Sequence, residues 1–453
     1  MSQLAIIART EFAAWRTIPK AFLIWGYATI VLAVAASHMV GLEIVTLLRN
    51  TAVVSGVLWI AVGAFRQRIP LKVALPVALL LILQAWGAIS SALVAASVGR
   101  SFPINYFDVL FLRYIFLFFM ASMLVYIDVK NRQRLTLVLY LYIGVNAVLQ
   151  YLQFLHFGPA LALAQANPWD IDPTNWDLRG GTRAGGFSIF PGPAALSDMM
   201  ICALIVGQTF VRRLKGWEHI LFLFFAGASL TAQARTHMPA LALVSLVYMV
   251  QVIRTERARA VFYMTVLTIV GMVFVVFGWE RLGYAFGENW LDAGSLKWRQ
   301  NVSWTQANMI NQNFPWTGLG PDPALLTNLK LGADKWSPKR SLDSVWLAIE
   351  SAYGLVGLAL AAVVDAATLL VPFVVWGNRR SSADRKALSI TILLSAIGLF
   401  IGMTGNTVIH WEWPFFILMI VGGMCMPSAD EEVALHRRYT LFDEDEREPL
   451  PSS

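Results

Sequence analysis

Apolar runs of about 20 residues recur from Ala21 to the region of Met426, and this limits the possible folds more than any other feature. Runs of that length cross a hydrocarbon core, where every backbone N–H and C=O must be bonded within its own element. A helix meets that demand. A transmembrane β-barrel would show short alternating strands between turns, a pattern the sequence lacks. Charged residues make up 14% of the chain and hydrophobic residues 57%, whereas a soluble chain carries about a quarter charged residues. The sequence therefore reads as an all-α polytopic inner-membrane protein with no independent soluble domain. Cys202 and Cys425 both sit in apolar runs and read as small core residues, not as a disulfide framework.

Hydropathy places spans at 21–40, 43–64, 71–98, 108–128, 135–157, 191–211, 217–231, 237–253, 260–279, 344–376, 387–404 and 412–427, about twelve helices in all. Basic residues punctuate every second short loop. Arg9, Arg16 and Lys20 precede the first span; Arg66, Arg68 and Lys72 follow the second; Lys130, Arg132 and Arg134 follow the fourth. Arg212, Arg213 and Lys215 follow the sixth, Arg254, Arg257 and Arg259 the eighth, and Arg379, Arg380, Arg385 and Lys386 the tenth. Cytoplasmic loops carry this excess, so both termini are expected in the cytoplasm. The short seventh span is needed to keep the alternation. The N-terminal stretch MSQLAIIARTEFAAWRTIPK is expected to lead into a retained first helix.

The other loops are then periplasmic, and two are long: 158–190, and 280–343 between helices 9 and 10. Long ordered loops in a compact protein are usually functional. Within the larger one, Trp298, Val302, Thr305 and Met309 share one face of a predicted helix, and Asn311–Pro323 is expected to break it. That helix reads either as lying on the bilayer surface or as a lid over a membrane-facing cavity. The domain plan is a single transmembrane domain over 1–427 and a disordered acidic cytoplasmic tail over 428–453.

Basic residues on the outer side run against the positive-inside bias. Arg49 lies within the second span and Arg113 a turn into the fourth; Arg179 and Arg183 lie in the first long loop. Arg235 and His237 sit between two spans, and Arg281, Lys297 and Arg299 open the large loop. An ionisable group at membrane depth is a candidate functional residue, because lipid offers it no partner. Arginine also suits phosphate, through its planar fork and permanent charge. Plainer readings stand beside these: Arg49 and Arg113 snorkelling to headgroups, Lys297 and Arg299 on a solvated face, His237 as a structural histidine. Asp343 lies where the large loop re-enters the membrane, and Glu350 follows on about the same helix face. Asp343 reads as a helix N-cap or as a catalytic carboxylate. Asp170 and Asp172 form a D-x-D in a turn-rich cluster that needs no metal to explain it. No phosphate-binding loop, zinc-protease motif or nucleophile elbow occurs, so no cofactor, metal or ATP hydrolysis is expected.

Four segments, in this order, resemble the O-antigen polymerase and ligase superfamily of bacterial polysaccharide assembly. They are RAGGFSIFPGPAALSDMM (183–200), LTAQARTHMPALAL (230–243), WRQNVSWTQANMINQNFPWTGLG (298–320) and SLDSVWLAIESAYGLVGL (341–358). The resemblance implies a GT-C-like membrane glycosyltransferase that takes a glycan from an undecaprenyl-diphosphate carrier on the periplasmic side. Polymerases of the family pass it to another lipid-linked repeat unit, building exopolysaccharide or O-antigen; ligases pass it to lipid A–core. Ligases usually carry a His-Asn pair at re-entry, where this chain has Asp343 and Ser344, which favours a polymerase.

On this reading Asp343, Arg235 and Arg183 are the catalytic candidates. Arg49, Arg113, Arg179, Arg299, His237 and Glu350 are candidates for binding diphosphate or glycan. The arginines would neutralise the leaving diphosphate, and the carboxylate would orient or deprotonate the acceptor hydroxyl. Expected partners are the undecaprenyl-diphosphate-linked oligosaccharide, membrane lipid, and a chain-length regulator or export protein; nucleic acid is not expected. A lipid-linked oligosaccharide flippase is the competing class, disfavoured by the large outer loop and the lack of an internal repeat. A non-catalytic scaffold is a third.

Overall fold

The computed structural model describes residues 20–38, 43–66, 75–97, 112–165, 184–187, 191–232, 237–255, 305–318, 345–379, 381–403 and 412–431. Among them are thirteen helices and no strand. They are α1 (Lys20–His38), α2 (Glu43–Arg66), α3 (Leu75–Ser97), α4 (Leu112–Ile127), α5 (Asn131–Phe154), α6 (Gly158–Gln165) and α7 (Pro191–Thr209). There follow α8 (Gly216–Thr231), α9 (Met238–Thr255), α10 (Thr305–Asn313), α11 (Val345–Gly377), α12 (Ala383–Met403) and α13 (Glu412–Met424). Every expected span falls on one of these helices except 260–279, which lies outside the described residues. Among the described residues, six helices are long and apolar enough to cross a membrane.

The bundle is apolar outside and partly polar inside, the pattern of a protein that meets lipid. On α5, Leu137, Leu141, Val145 and Val148 face outward at helical spacing. The opposite face buries Leu139, Ile143 and Ala147 together with Asn146, Gln150 and Gln153. Helix α7 is the centre, packing against α5, α8, α9, α12 and α13. Without a hydrophobic driving force inside lipid, close packing holds such helices together, and small residues permit it. Gly207 of α7 is one such point, where a Cβ would overlap the Ala387 carbonyl of α12.

Helix α8 runs over 16 residues, about 24 Å at 1.5 Å per residue. Short as it is, it is a genuine helix of the core: Phe222, Phe225 and Ala228 are buried. Helix α11 differs from the continuous span expected. It breaks at Gly354, which adopts φ 66°, ψ −170°, so Val345–Tyr353 forms a separate arm. Helix α10 in turn reaches Asn313, beyond the expected break at Asn311. At the opposite end of α5, Arg132 forms a bidentate pair with Glu431 (2.9 and 2.8 Å) and donates to the carbonyls of Met424 and Met426. The folded unit thus extends to Glu431, four residues into the stretch expected as tail.

Candidate functional site

Of the predicted site residues, Asp343, Arg235, Arg183, Arg179 and Arg299 lie outside the described residues. So do Asp170 and Asp172. Arg49 and Arg113 are placed in α2 and α4, but their side chains are outside the description. The side chains of His237 and Glu350 are described. The flanks of the others are also placed, and they converge.

The loop that follows Arg183 is clamped by α5. Gln153 donates from Nε2 to the Gly186 carbonyl (2.8 Å), while its Oε1 accepts the N–H groups of Gly185 (3.1 Å) and Gly186 (2.8 Å). Two helical turns earlier, Asn146 Oδ1 accepts the Phe187 N–H at 2.8 Å. Gly186 has φ 66°, and a side chain there would collide with the Asn146 carboxamide, so glycine is required on both counts. From the other side, the Ala184 N–H donates to the Thr231 carbonyl at 3.2 Å. Thr231 ends α8 and opens the segment that carries Arg235. Ser229 Oγ donates to the Ala195 carbonyl at 3.0 Å, tying the same end of α8 to α7.

His237 begins the next helix and is buried, 1% exposed. Its ring packs against Gly402 of α12, where a Cβ would stand 2.8 Å from Nδ1. Two residues earlier on α12, Phe400 meets Trp346 with ring centroids 5.4 Å apart. Trp346 follows Asp343 by three residues. The end of α12 is therefore the hub at which the Val345–Tyr353 arm of α11 and the start of α9 meet, while α5 and α8 hold the Ala184–Phe187 loop.

A second lock joins the large loop to the break in α11. The Leu355 N–H donates to the Pro315 carbonyl at 2.8 Å, and Ser90 Oγ of α3 donates to the Thr317 carbonyl. Trp86 Nε1 donates to the Tyr353 carbonyl at 2.8 Å. Gly318 (φ 63°) and Gly354 (φ 66°) abut each other's segments so closely that a Cβ on either would overlap main chain. Glu350 sits half-buried on the arm this lock fixes.

Sequence reasoning passed over Asp198. It lies on α7, fully buried, with both oxygens lacking a hydrogen bond among the described residues, and Gln150 is the polar group facing it. An acidic residue in the middle of an apolar span was the available signal. Gln150 lies on α5 between Asn146 and Gln153, the two side chains that clamp the 184–187 loop. Among the described residues, no three His, Cys, Asp or Glu side chains come together as a metal site.

These features define a class: a polytopic helical membrane protein in which the described residues 184–187, 231–232 and 237 and the Val345–Tyr353 arm of α11 gather at one end of the bundle. Residues 220–362, roughly a third of the chain, match the sequence family described as O-antigen ligase, and this match places that segment within the O-antigen polymerase and ligase superfamily. No curated protein matches the chain. The matched segment contains Arg235, His237, Arg299, Asp343 and Glu350. Arg183 and its loop lie outside it and join it through the Ala184–Thr231 hydrogen bond.

Proposed function

We propose that this protein is a polysaccharide polymerase that joins undecaprenyl-diphosphate-linked oligosaccharide repeat units on the periplasmic face of the inner membrane. The observation that supports the reading is that Ala184, Thr231, His237 and Trp346, the described residues flanking Arg183, Arg235 and Asp343 in sequence, pack at one end of the bundle. The acceptor hydroxyl oxygen attacks the anomeric carbon of the donor glycan, and the bond from that carbon to the diphosphate oxygen breaks. Arg183 and Arg235 offset the negative charge that grows on the departing diphosphate, and electrostatic stabilisation of this kind usually contributes most to catalysis. Asp343 takes the hydroxyl proton. The energy is already stored in the diphosphate linkage, so the step consumes no nucleotide. Arg49, Arg113, Arg179, Arg299 and Glu350 contribute to holding the diphosphate and glycan. His237, buried beneath this surface, supports the start of α9.

Transfer to lipid A–core is the second reading, and the description of the matched family as O-antigen ligase favours it. Asp343–Ser344 in place of a His-Asn pair favours the polymerase. The test is a reconstitution with purified undecaprenyl-diphosphate-linked oligosaccharide, with and without lipid A–core. A ladder of repeat units without core supports the polymerase, and a single addition to core supports the ligase. Absence of any transfer in both mixtures would remove the glycosyltransferase reading altogether.

A further inference from the structure

Trp316 is 65% exposed, yet the main chain that carries it is bonded on both sides. The Pro315 and Thr317 carbonyls on either side accept bonds from Leu355 and Ser90, and the Gly318 N–H donates to the Phe314 carbonyl at 2.9 Å. Two glycines in the left-handed region, Gly318 and Gly354, let the two segments meet. The fold thus fixes the main chain from which a large flat ring projects in the open. Such a ring loses little conformational entropy when it binds, which is the benefit of preorganisation.

The exposed residues that precede it narrow the ligand class. Asn308 and Gln312, one turn apart on α10, are both exposed and share a face. No residue from Thr305 to Gly318 carries a charge. A surface built for lipid headgroups would present Lys or Arg, and one built to lie in the bilayer would present an apolar face. Carboxamides offer paired donors and acceptors to hydroxyl groups. The negative face of an indole attracts the partly positive C–H bonds on the flat face of a pyranose ring.

We propose that Trp316, with Asn308 and Gln312, forms a glycan subsite on which a neutral sugar ring of the oligosaccharide stacks. This rests on the glycosyltransferase reading and assigns a binding surface to the large loop. It places the sugar beside the arm of α11 that leads back to Asp343, so the lock at Gly354 sets the distance between subsite and re-entry segment.

The test uses the full chain in nanodiscs and a soluble probe: oligosaccharide repeat units released by mild acid from the producing strain's own polysaccharide. Binding is read by saturation-transfer NMR, and transfer is measured separately with the lipid-linked substrate. Trp316→Ala and Trp316→Leu are each expected to weaken probe binding about tenfold and to raise KM with kcat little changed, while Trp316→Tyr retains most of both. Leucine keeps an apolar side chain for lipid but has no π face, so wild-type binding by Trp316→Leu would overturn the subsite in favour of a membrane anchor. Transfer by the wild type with normal KM in both the alanine and leucine variants would overturn the subsite and leave the glycosyltransferase reading standing. A wild type that binds the probe through Trp316 but transfers nothing would do the reverse.

Discussion

Arg183 directly precedes Ala184, whose N–H bonds the Thr231 carbonyl at 3.2 Å, and Arg235 follows Thr231 by four residues. One main-chain bond therefore joins the described flanks of two segments distant in sequence, each of which carries a candidate arginine. Replacing either with alanine is expected to abolish polymer while leaving membrane insertion intact, and lysine is expected to rescue poorly because it cannot reproduce the bidentate fork. Immunoblots for long-chain glycan in a deletion strain check this, and unaltered chain lengths from both alanine variants would move the diphosphate site elsewhere. Asp343 poses a different question, since Asn caps a helix about as well as Asp but accepts no proton. Asp343→Asn is expected to keep normal thermal stability and lose most turnover on purified lipid-linked substrate; near wild-type turnover would reduce the residue to a cap. The two arginines stand out in the sequence because they run against the expected positive-inside bias, and Asp343 because it precedes a long apolar run. Asp198 was not singled out. It sits in an apolar run whose hydropathy dominates, and what sets it apart is that it faces Gln150 from another helix, an arrangement only the tertiary packing displays.

At the scale of elements, hydropathy located the helices well because long apolar runs and basic loops are strong, one-dimensional signals. The short α8 is the instructive success: loop-charge alternation demanded it where length alone did not. The break in α11 is the instructive miss. Gly354 lies in a run apolar enough to read as one span, and its left-handed conformation serves a main-chain contact with Trp316 and Thr317, from a segment far away in sequence. The end of the bundle near Arg132 is a further case. The side chain of Arg132 is 3% exposed, and Glu431 neutralises it. Burial alone would raise the Glu431 carboxyl, but the bonds and charge of Arg132, with help from Ser382 and the Ser428 N–H, outweigh that and hold it at about 2. A carboxyl lowered in the folded state stabilises the fold above its ordinary value near 4.5, and that stability drains away as pH falls from there towards 2. Glu431→Gln strands a buried charge and is expected to cost about 3 kcal/mol near neutral pH. In detergent melts, the wild-type advantage over Glu431→Gln should shrink between about pH 5 and 3; a constant gap across that range would mean the pair contributes no pH-dependent stability.

For the whole molecule, the lock at Gly354 and the hub at the end of α12 belong to elements that the loop charges place on the same side of the membrane. The α10–α11 contact joins the large loop to α11, and the Ala184–Thr231 bond joins the first long loop to the end of α8. If 280–343 and 158–190 opened to opposite sides, no single site could draw on both, and the proposed transfer would lose its arginines. Side is therefore the property on which the rest depends. The charges that follow α11, Arg379, Arg380, Arg385 and Lys386, predict a cytoplasmic loop, and Arg379 is exposed there whereas Ser381 is buried. Arg379→Cys is thus the better labelling position. Cys202 and Cys425 are both buried, so they give little background with an impermeant maleimide. In intact spheroplasts, Ser295→Cys in the large loop is expected to label and Arg379→Cys to remain silent until the membrane is permeabilised. Labelling of both before permeabilisation, or of Arg379→Cys alone, would invert or break the topology. The convergent segments would then have to be assigned to a reaction on the other face.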